Sequence, residues 1–270
     1  MKIEKLTRKS HYYNEDRFII GQDFAMVVDG ATSLESSGIK PSEACWLVNL
    51  LKKNILKEKG TIIERLNLIS QEGYRQFKKL GNNSLDYLPS ATLAWVEFKN
   101  DNIVCYTIGD CEIVIKFKDG TIKRLVQKEL KKLDDCALEK MKEESIKHSV
   151  PFLMARKYVD DLLIHNRRLI NKSNGYSAFT IDENPNFKYE EHIFDRADID
   201  EVYLYTDGIT QAIDELKIHS SCEDMFKKSL NLKKEVAMIV ERCNDDPLCE
   251  KYHRFKKQDD ITIIKISMNA

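Results

Sequence analysis

Apolar and polar positions along this chain alternate between two periods. Residues 17–21 and 23–29 are short apolar runs bounded by polar ones, and they predict two strands. From Pro41 the period lengthens. Ala44, Leu47, Val48, Leu51 and Ile55 fall on one helical face, with Pro41 suited to the first turn. After Gly60 a second helix carries Ile62, Leu66, Ile69 and Phe77 on one stripe; Gly73 weakens it locally, and Gly81-Asn82-Asn83 ends it. Strands return over residues 91–98, 102–108 and 112–117, and Asp119-Gly120 turns a hairpin into Thr121-Ile122-Lys123. Such short connections favour antiparallel pairing.

Residues 127–172 are helical and highly charged, and read as a flap-like insertion over the sheet. A strand near Tyr176–Ile181 follows, then an apolar strand ending at Asp207, two short helices between about 209 and 244, and a closing strand over residues 261–266. Strands, paired helices, strands, helices and a last strand describe an α+β layered fold. Alternating βαβ units, which would imply a parallel sheet, are absent from the pattern. No repeat or low-complexity linker divides the chain, so a single domain over 1–270 is expected, with the insertion at about 127–172.

Composition changes this picture little. The 270 residues are 42% hydrophobic and 32% charged, with a net charge of −1, so no global field draws the chain to nucleic acid or an anionic membrane. Lysines in the 128–142 stretch alternate with Glu129, Asp134, Asp135 and Glu139, the pattern of a solvated helix face. The first residues lack the apolar core of a signal peptide, and no run of about 18 apolar residues predicts a membrane span. Seven scattered cysteines include no CxxC and no zinc spacing; Cys45, Cys105 and Cys111 fall in apolar patterns and read as reduced core residues. A cytoplasmic location is the expectation. No pattern in the chain specifies an oligomeric state.

The chemistry lies in the acids. Two distant segments share one design: Phe24-Ala25-Met26-Val27-Val28-Asp29-Gly30-Ala31-Thr32 and Val202-Tyr203-Leu204-Tyr205-Thr206-Asp207-Gly208-Ile209-Thr210. Each is an apolar strand ending on a carboxylate and a glycine turn, although Asp is a poor strand residue. Asp16, beside Arg17-Phe18-Ile19-Ile20, and Asp259, before Asp260-Ile261-Thr262, also flank apolar runs. Brought together, these four carboxylates need cations, and oxygen donors of this kind suit hard divalent ions. Two such ions would balance four negative charges and can activate a water for attack on phosphorus.

In order along the chain, Asn14-Glu15-Asp16, Val27-Val28-Asp29-Gly30, Ser90-Ala91-Thr92, Ile108-Gly109-Asp110, Tyr205-Thr206-Asp207-Gly208 and Asp259-Asp260-Ile261-Thr262 resemble the motifs of the metal-dependent protein phosphatases of type 2C, the PPM class. The segment Asn166-Arg167-Arg168-Leu169-Ile170-Asn171 and Gly175-Tyr176 is similar to bacterial members. The resemblance implies an α-β-β-α sandwich of two antiparallel sheets with a cleft at one end. It implies two Mn²⁺ or Mg²⁺ ions, with a third open, and a phosphoserine or phosphothreonine protein as substrate. Asp29 would bridge both ions, Gly30 would offer its carbonyl to one, Asp207 and Asp259 would hold the other, and Asp16 would act through water.

The chain departs from the family pattern in places. Four residues before Glu15, where members usually carry a phosphate-gripping Arg, stands His11, read either as a surface residue near a loop or as a phosphate contact or proton donor. Ala31-Thr32-Ser33 replaces the frequent His-Gly-Gly, so the usual general acid is missing. Asp260 stands where Asn is usual, and its extra charge would tighten metal binding or repel phosphate. Asp86, a loop acid, lies near a third-metal position of some members; Asp110 reads as a turn residue or one behind the metal ligands, Cys111 as structural, and His165, His192 and His253 as surface. Two other readings stay open: a catalytically weak phosphatase-fold protein that binds a phosphoprotein or regulates a partner, and a phosphoesterase of small molecules.

Overall fold

Val27 and Val28, neighbours in sequence, are both fully buried, so their strand is covered on both faces. The structure, a computed structural model, describes residues 1–31, 39–79 and 88–268 and accounts for this double burial with two stacked sheets. One runs in the order β1 (Lys2–Arg8), β11 (Ile261–Ser267), β10 (Ile199–Tyr205), β6 (Glu112–Phe117), β7 (Ile122–Leu125). The other runs β2 (Asp16–Ile20), β3 (Phe24–Ala31), β4 (Ser90–Phe98), β5 (Asn102–Ile108), β9 (Glu190–Asp195), with β8 (Phe179–Thr180) paired to β4. Every pairing between these strands is antiparallel.

The period of two sorts the side chains. Ala25, Val27, Ala94 and Val96 meet Val202, Leu204, Ile264 and Ile266 between the sheets. On the outer face of the second sheet, Met26, Val28, Leu93 and Trp95 pack under α1 (Glu43–Asn54) and α2 (Ile62–Lys79). Tyr203, Tyr205, Ile261 and Ile263 do the same for the first sheet, under α5 (Asp207–Asp214), α6 (Cys222–Phe226) and α7 (Leu232–Asn244). The result is the four-layer α-β-β-α arrangement. Each large side chain buried here contributes about 1.5–3 kcal/mol.

The helical stripes hold: Ala44, Leu47, Val48, Leu51 and Ile55, then Ile62, Leu66, Ile69 and Phe77, are all buried. Gly73 lies inside α2 because a Cβ there would stand 2.5 Å from Ile181 Cγ2. Pro41 precedes the helix rather than opening it; Ser42 is the N-cap, accepting from the Cys45 amide at 3.1 Å. Gly81-Asn82-Asn83, Asp86, Thr32 and Ser33 lie outside the described residues.

Several expectations need correction. The polar-looking first residues form β1, and Glu190–Asp195 forms β9; both are edge strands, with charged residues on their open faces. The strand expected at 176–181 shortens to Phe179–Thr180. Residues 209–244 contain parts of three helices rather than two. The charged stretch at 127–172 becomes α3 (Glu129–His148), a 3₁₀ turn over Phe152–Tyr158 and α4 (Asp160–Arg167). His253 is not a surface residue: its ring stacks on Phe152 with centroids 4.1 Å apart. His192 is half-buried as well.

Candidate active site

Register places the first two acids together. In the β2–β3 ladder Asp16 lies directly opposite Asp29, and both stand at the same end of the strands. Asp29 keeps the face of Ala25 and Val27, so it points to the seam between the sheets. From the other sheet, β10 ends at Tyr205 and Asp207 begins α5, while Asp259 precedes β11, the strand beside β10. The four predicted carboxylates therefore converge at one end of the sandwich from both sheets.

Glycine is required where backbone crosses closely. A Cβ on Gly208 would stand 2.0 Å from the Asp260 carbonyl oxygen, so α5 could not start against the β11 entry with any other residue. A Cβ on Gly30 would meet the Glu15 carbonyl and Val48 Cγ1, both at 2.8 Å, and the Gly30 amide donates to that same carbonyl at 3.1 Å.

Hydrogen bonds fix the motif that carries Asp16. The Asn14 side chain accepts from the Asp16 amide at 2.9 Å and donates to Thr7 Oγ1 at 2.7 Å, which in turn meets Thr262 Oγ1 at 2.7 Å. Ser42 Oγ donates to Glu15 Oε1 at 2.5 Å, tying the motif to the start of α1. Asp260 has a structural role in this arrangement. Its carboxylate accepts from the Ser10 amide at 2.6 Å, Ser10 Oγ at 2.9 Å and the Glu15 amide at 2.6 Å, clamping residues 10–15 onto β11.

The electrostatics are those of crowded, dehydrated acids. Burial is the largest cause raising Asp16, to about 8 from 3.8; Asp259 and Asp260 add repulsion, against a lowering hydrogen bond from Thr206. Burial, then Asp207, Asp16, Asp259 and Asp110, push Asp29 well up. Asp207 is raised by burial, then by Asp259 and Asp110. Asp110 does sit in a turn with Gly109, close enough to act on these acids, and burial raises it too. Asp207 Oδ1 is buried with no partner.

Among the described residues that line the cleft, one cation faces these acids. Lys256 Nζ lies 2.5 Å from Asp259 Oδ1, with its side chain half exposed. Burial works against its charge, yet Asp259, Asp207 and Asp29 outweigh it and hold the ammonium well above its usual range. A cleft of about 170 Å³ opens here, lined by Asp16, Asp29, Gly30, Asp259 and Lys256, with the exposed His11 at its lip beside Tyr12 and Tyr13. A larger groove of about 940 Å³ between β1 and α7 gathers no comparable chemistry, so the smaller cleft is the candidate site.

The donor chemistry fits hard divalent cations: oxygen donors, a buried carboxylate oxygen on Asp207 without a hydrogen-bond partner, and acids whose ionisation is opposed by burial and by one another. Among the described residues, no three acid, histidine or cysteine side chains converge closely enough to hold an ion as they stand. Lys256 instead takes up Asp259.

The segment carrying Lys256 and Asp259 is itself pinned. Arg254 donates to Asp246 Oδ2 at 2.9 Å and to the carbonyls of Asp246, Tyr252, Cys243 and Lys257. The insertion rests on the same segment: the Leu153 amide donates to the Leu248 carbonyl at 3.2 Å, and Arg156 Nη1 to the Phe255 carbonyl at 3.2 Å. Met141, Phe152, Val159 and Cys249 form a small core of their own between them.

Comparison with known proteins gives a family. The chain is similar in fold to the serine/threonine phosphatase Stp1 from Staphylococcus aureus, at 12% identity and a TM-score of 0.56, covering 100% of this chain and 95% of that one. It is similar to the Mycobacterium tuberculosis serine/threonine phosphatase PstP/Ppp at 14% identity and a TM-score of 0.56, covering 98% and 97%. It is also similar to the catalytic domain of PstP in complex with two manganese ions, at 12% identity and a TM-score of 0.54, covering 98% and 96%. A comparison with curated proteins by sequence finds no match. The sequence model of one family, described as protein phosphatase 2C, matches residues 8–243, and the chain belongs to that family.

Proposed function

We propose that this cleft hydrolyses phosphoserine and phosphothreonine in proteins with the help of two divalent cations, Mn²⁺ or Mg²⁺. The observation that carries the reading is the convergence of Asp16, Asp29, Asp207 and Asp259 on one end of the sandwich of a protein phosphatase 2C. Asp29, Gly30, Asp207 and Asp259 would hold the ions, and Asp16 would act through water. Bound there, the ions would supply a water acidic enough to attack at neutral pH and positive charge for the phosphoryl oxygens.

The chain's own residues do the rest. Thr206 and the Asn14 turn fix the Asp16 carboxylate, and the Asp260 clamp holds the 10–15 segment that forms one wall. His11, exposed at the lip, delivers a proton to the departing seryl or threonyl oxygen in the absence of the family's usual histidine. The whole chain acts as one catalytic domain, with the 127–172 insertion as a wall over the 245–259 segment rather than a separate unit. The reading is supported by the retained acids against the weak-binder alternative, since an unused buried acidic cluster is costly.

The test is hydrolysis of a phosphothreonine peptide with Mn²⁺, with Mg²⁺ and with chelator, beside Asp29→Asn. Metal-dependent turnover lost in the variant supports the reading. Metal binding without turnover in the wild type sinks it in favour of phosphoprotein binding.

A further inference from the structure

We propose that Lys256 is the residue that binds the substrate's phosphoryl group, an assignment that rests on the phosphatase reading of the same cleft. The argument begins with charge. Asp16, Asp29, Asp207 and Asp259 carry four negative charges when ionised, and two divalent cations cancel them without surplus. A phosphate monoester then arrives as a dianion at a cleft whose wall also holds Glu15 and Asp260. Among the described residues lining that cleft, Lys256 is the one lysine or arginine.

Geometry places it where it is needed. Its ammonium already reaches the acids, 2.5 Å from Asp259 Oδ1, so any phosphoryl oxygen seated beside Asp259 is within its range. The side chain is half exposed, and its ammonium carries three donors for an oxyanion. Its backbone is held in place. The Lys256 carbonyl accepts from Cys249 Sγ at 3.6 Å, and the next carbonyl accepts from Arg254 Nε at 3.1 Å. A long side chain on a fixed root suits a group that would bind an anion beside Asp259. Neither sequence neighbour competes: Lys257 is exposed and does not line the cleft.

The experiment titrates orthophosphate calorimetrically into Mg²⁺-loaded wild type, Lys256→Met and Lys256→Arg. Mn²⁺ affinity and phosphothreonine-peptide kinetics are measured on the same preparations. Loss of one charge-assisted contact should weaken orthophosphate by about tenfold or more in Lys256→Met and raise KM alongside, with Lys256→Arg recovering most of both. Mn²⁺ affinity in Lys256→Met should be equal to wild type or tighter. Orthophosphate binding unchanged in Lys256→Met overturns the assignment and reduces Lys256 to a counter-ion of the acids; no orthophosphate binding by the wild type overturns it too. A wild type that hydrolyses nothing, yet loses orthophosphate on Lys256→Met, keeps the assignment and removes the phosphatase reading.

Discussion

Thr206 Oγ1 donates a 2.7 Å hydrogen bond to Asp16 Oδ2, joining residues 190 positions apart and belonging to different sheets. The same hydroxyl accepts from the Thr262 amide at 3.1 Å, so it is used twice. One small side chain thereby fixes an acid of the cleft and the first turn of β11. Thr206→Val keeps the shape and removes both bonds. Leaving a buried amide and a buried carboxylate short of a partner should cost about 1–3 kcal/mol, read by urea denaturation, whereas Thr206→Ser should stay near wild type. A Thr206→Val midpoint equal to wild type would show that the bond is not formed in solution.

Acidity of the cluster has a direction that can be tested without substrate. Asp16 is raised from 3.8 to about 8, and Asp29 and Asp207 are raised with it, so between these limits the folded protein binds more protons than the unfolded chain. Stability from these groups is complete below the ordinary carboxylate range and drains away as pH climbs toward 8. In chelator, the melting temperature should therefore fall from pH 5 to pH 8. Saturating Mn²⁺ should flatten or reverse that slope, because a cation displaces the protons and stabilises the state that binds it. A melting temperature in chelator that rises across this interval would contradict the crowding of the acids.

Asp260 should behave as a clamp rather than as a ligand. Asp260→Ala strips acceptors from the Ser10 and Glu15 amides, and a loss of about 1–3 kcal/mol is expected. Amide exchange should speed up across residues 8–16 before anything else loosens. If Mn²⁺ affinity collapses while exchange at these residues is unchanged, Asp260 is a ligand and the clamp is incidental.

Arg254 and Asp246 form a buried ion pair, with side-chain exposures of 5% and 9%. Arg254→Met removes the counter-charge and leaves Asp246 to the amides of Glu250, Lys251 and Tyr252, at a cost of about 3 kcal/mol, the low end for a broken buried pair. Faster exchange should appear over residues 245–259 and extend into the 152–156 turn of the insertion, which is bound to that segment. Exchange confined to 245–259 would mean that the insertion is held from elsewhere.

Much of this was legible in the sequence because it is written locally. An apolar strand that ends on Asp-Gly announces itself, and Asp29, Gly30 and Asp207 needed no partner to be noticed. Asp16 and Asp259 followed from their place beside apolar runs. What escaped has roles assigned only by distance in space. Lys256 sits in the run Lys256-Lys257, which reads as solvated charge. Asp260 looks like a surplus acid until Ser10 and Glu15 are brought to it. Edge strands hide for a related reason. β1 and β9 carry alternating charges on faces that meet water, so their hydrophobic signal is half that of β3.

The order of synthesis gives the β10–β11–β1 arrangement a temporal meaning. β1 is made long before β11, yet among the described residues its ladder is to β11. Asp16 likewise waits for Thr206 and Asp259. Contacts of such long sequence separation form late. During synthesis β1 stays unpaired and the cleft incomplete until residue 259 and those of β11 have been made. The cleft is therefore among the last parts of this fold to be completed.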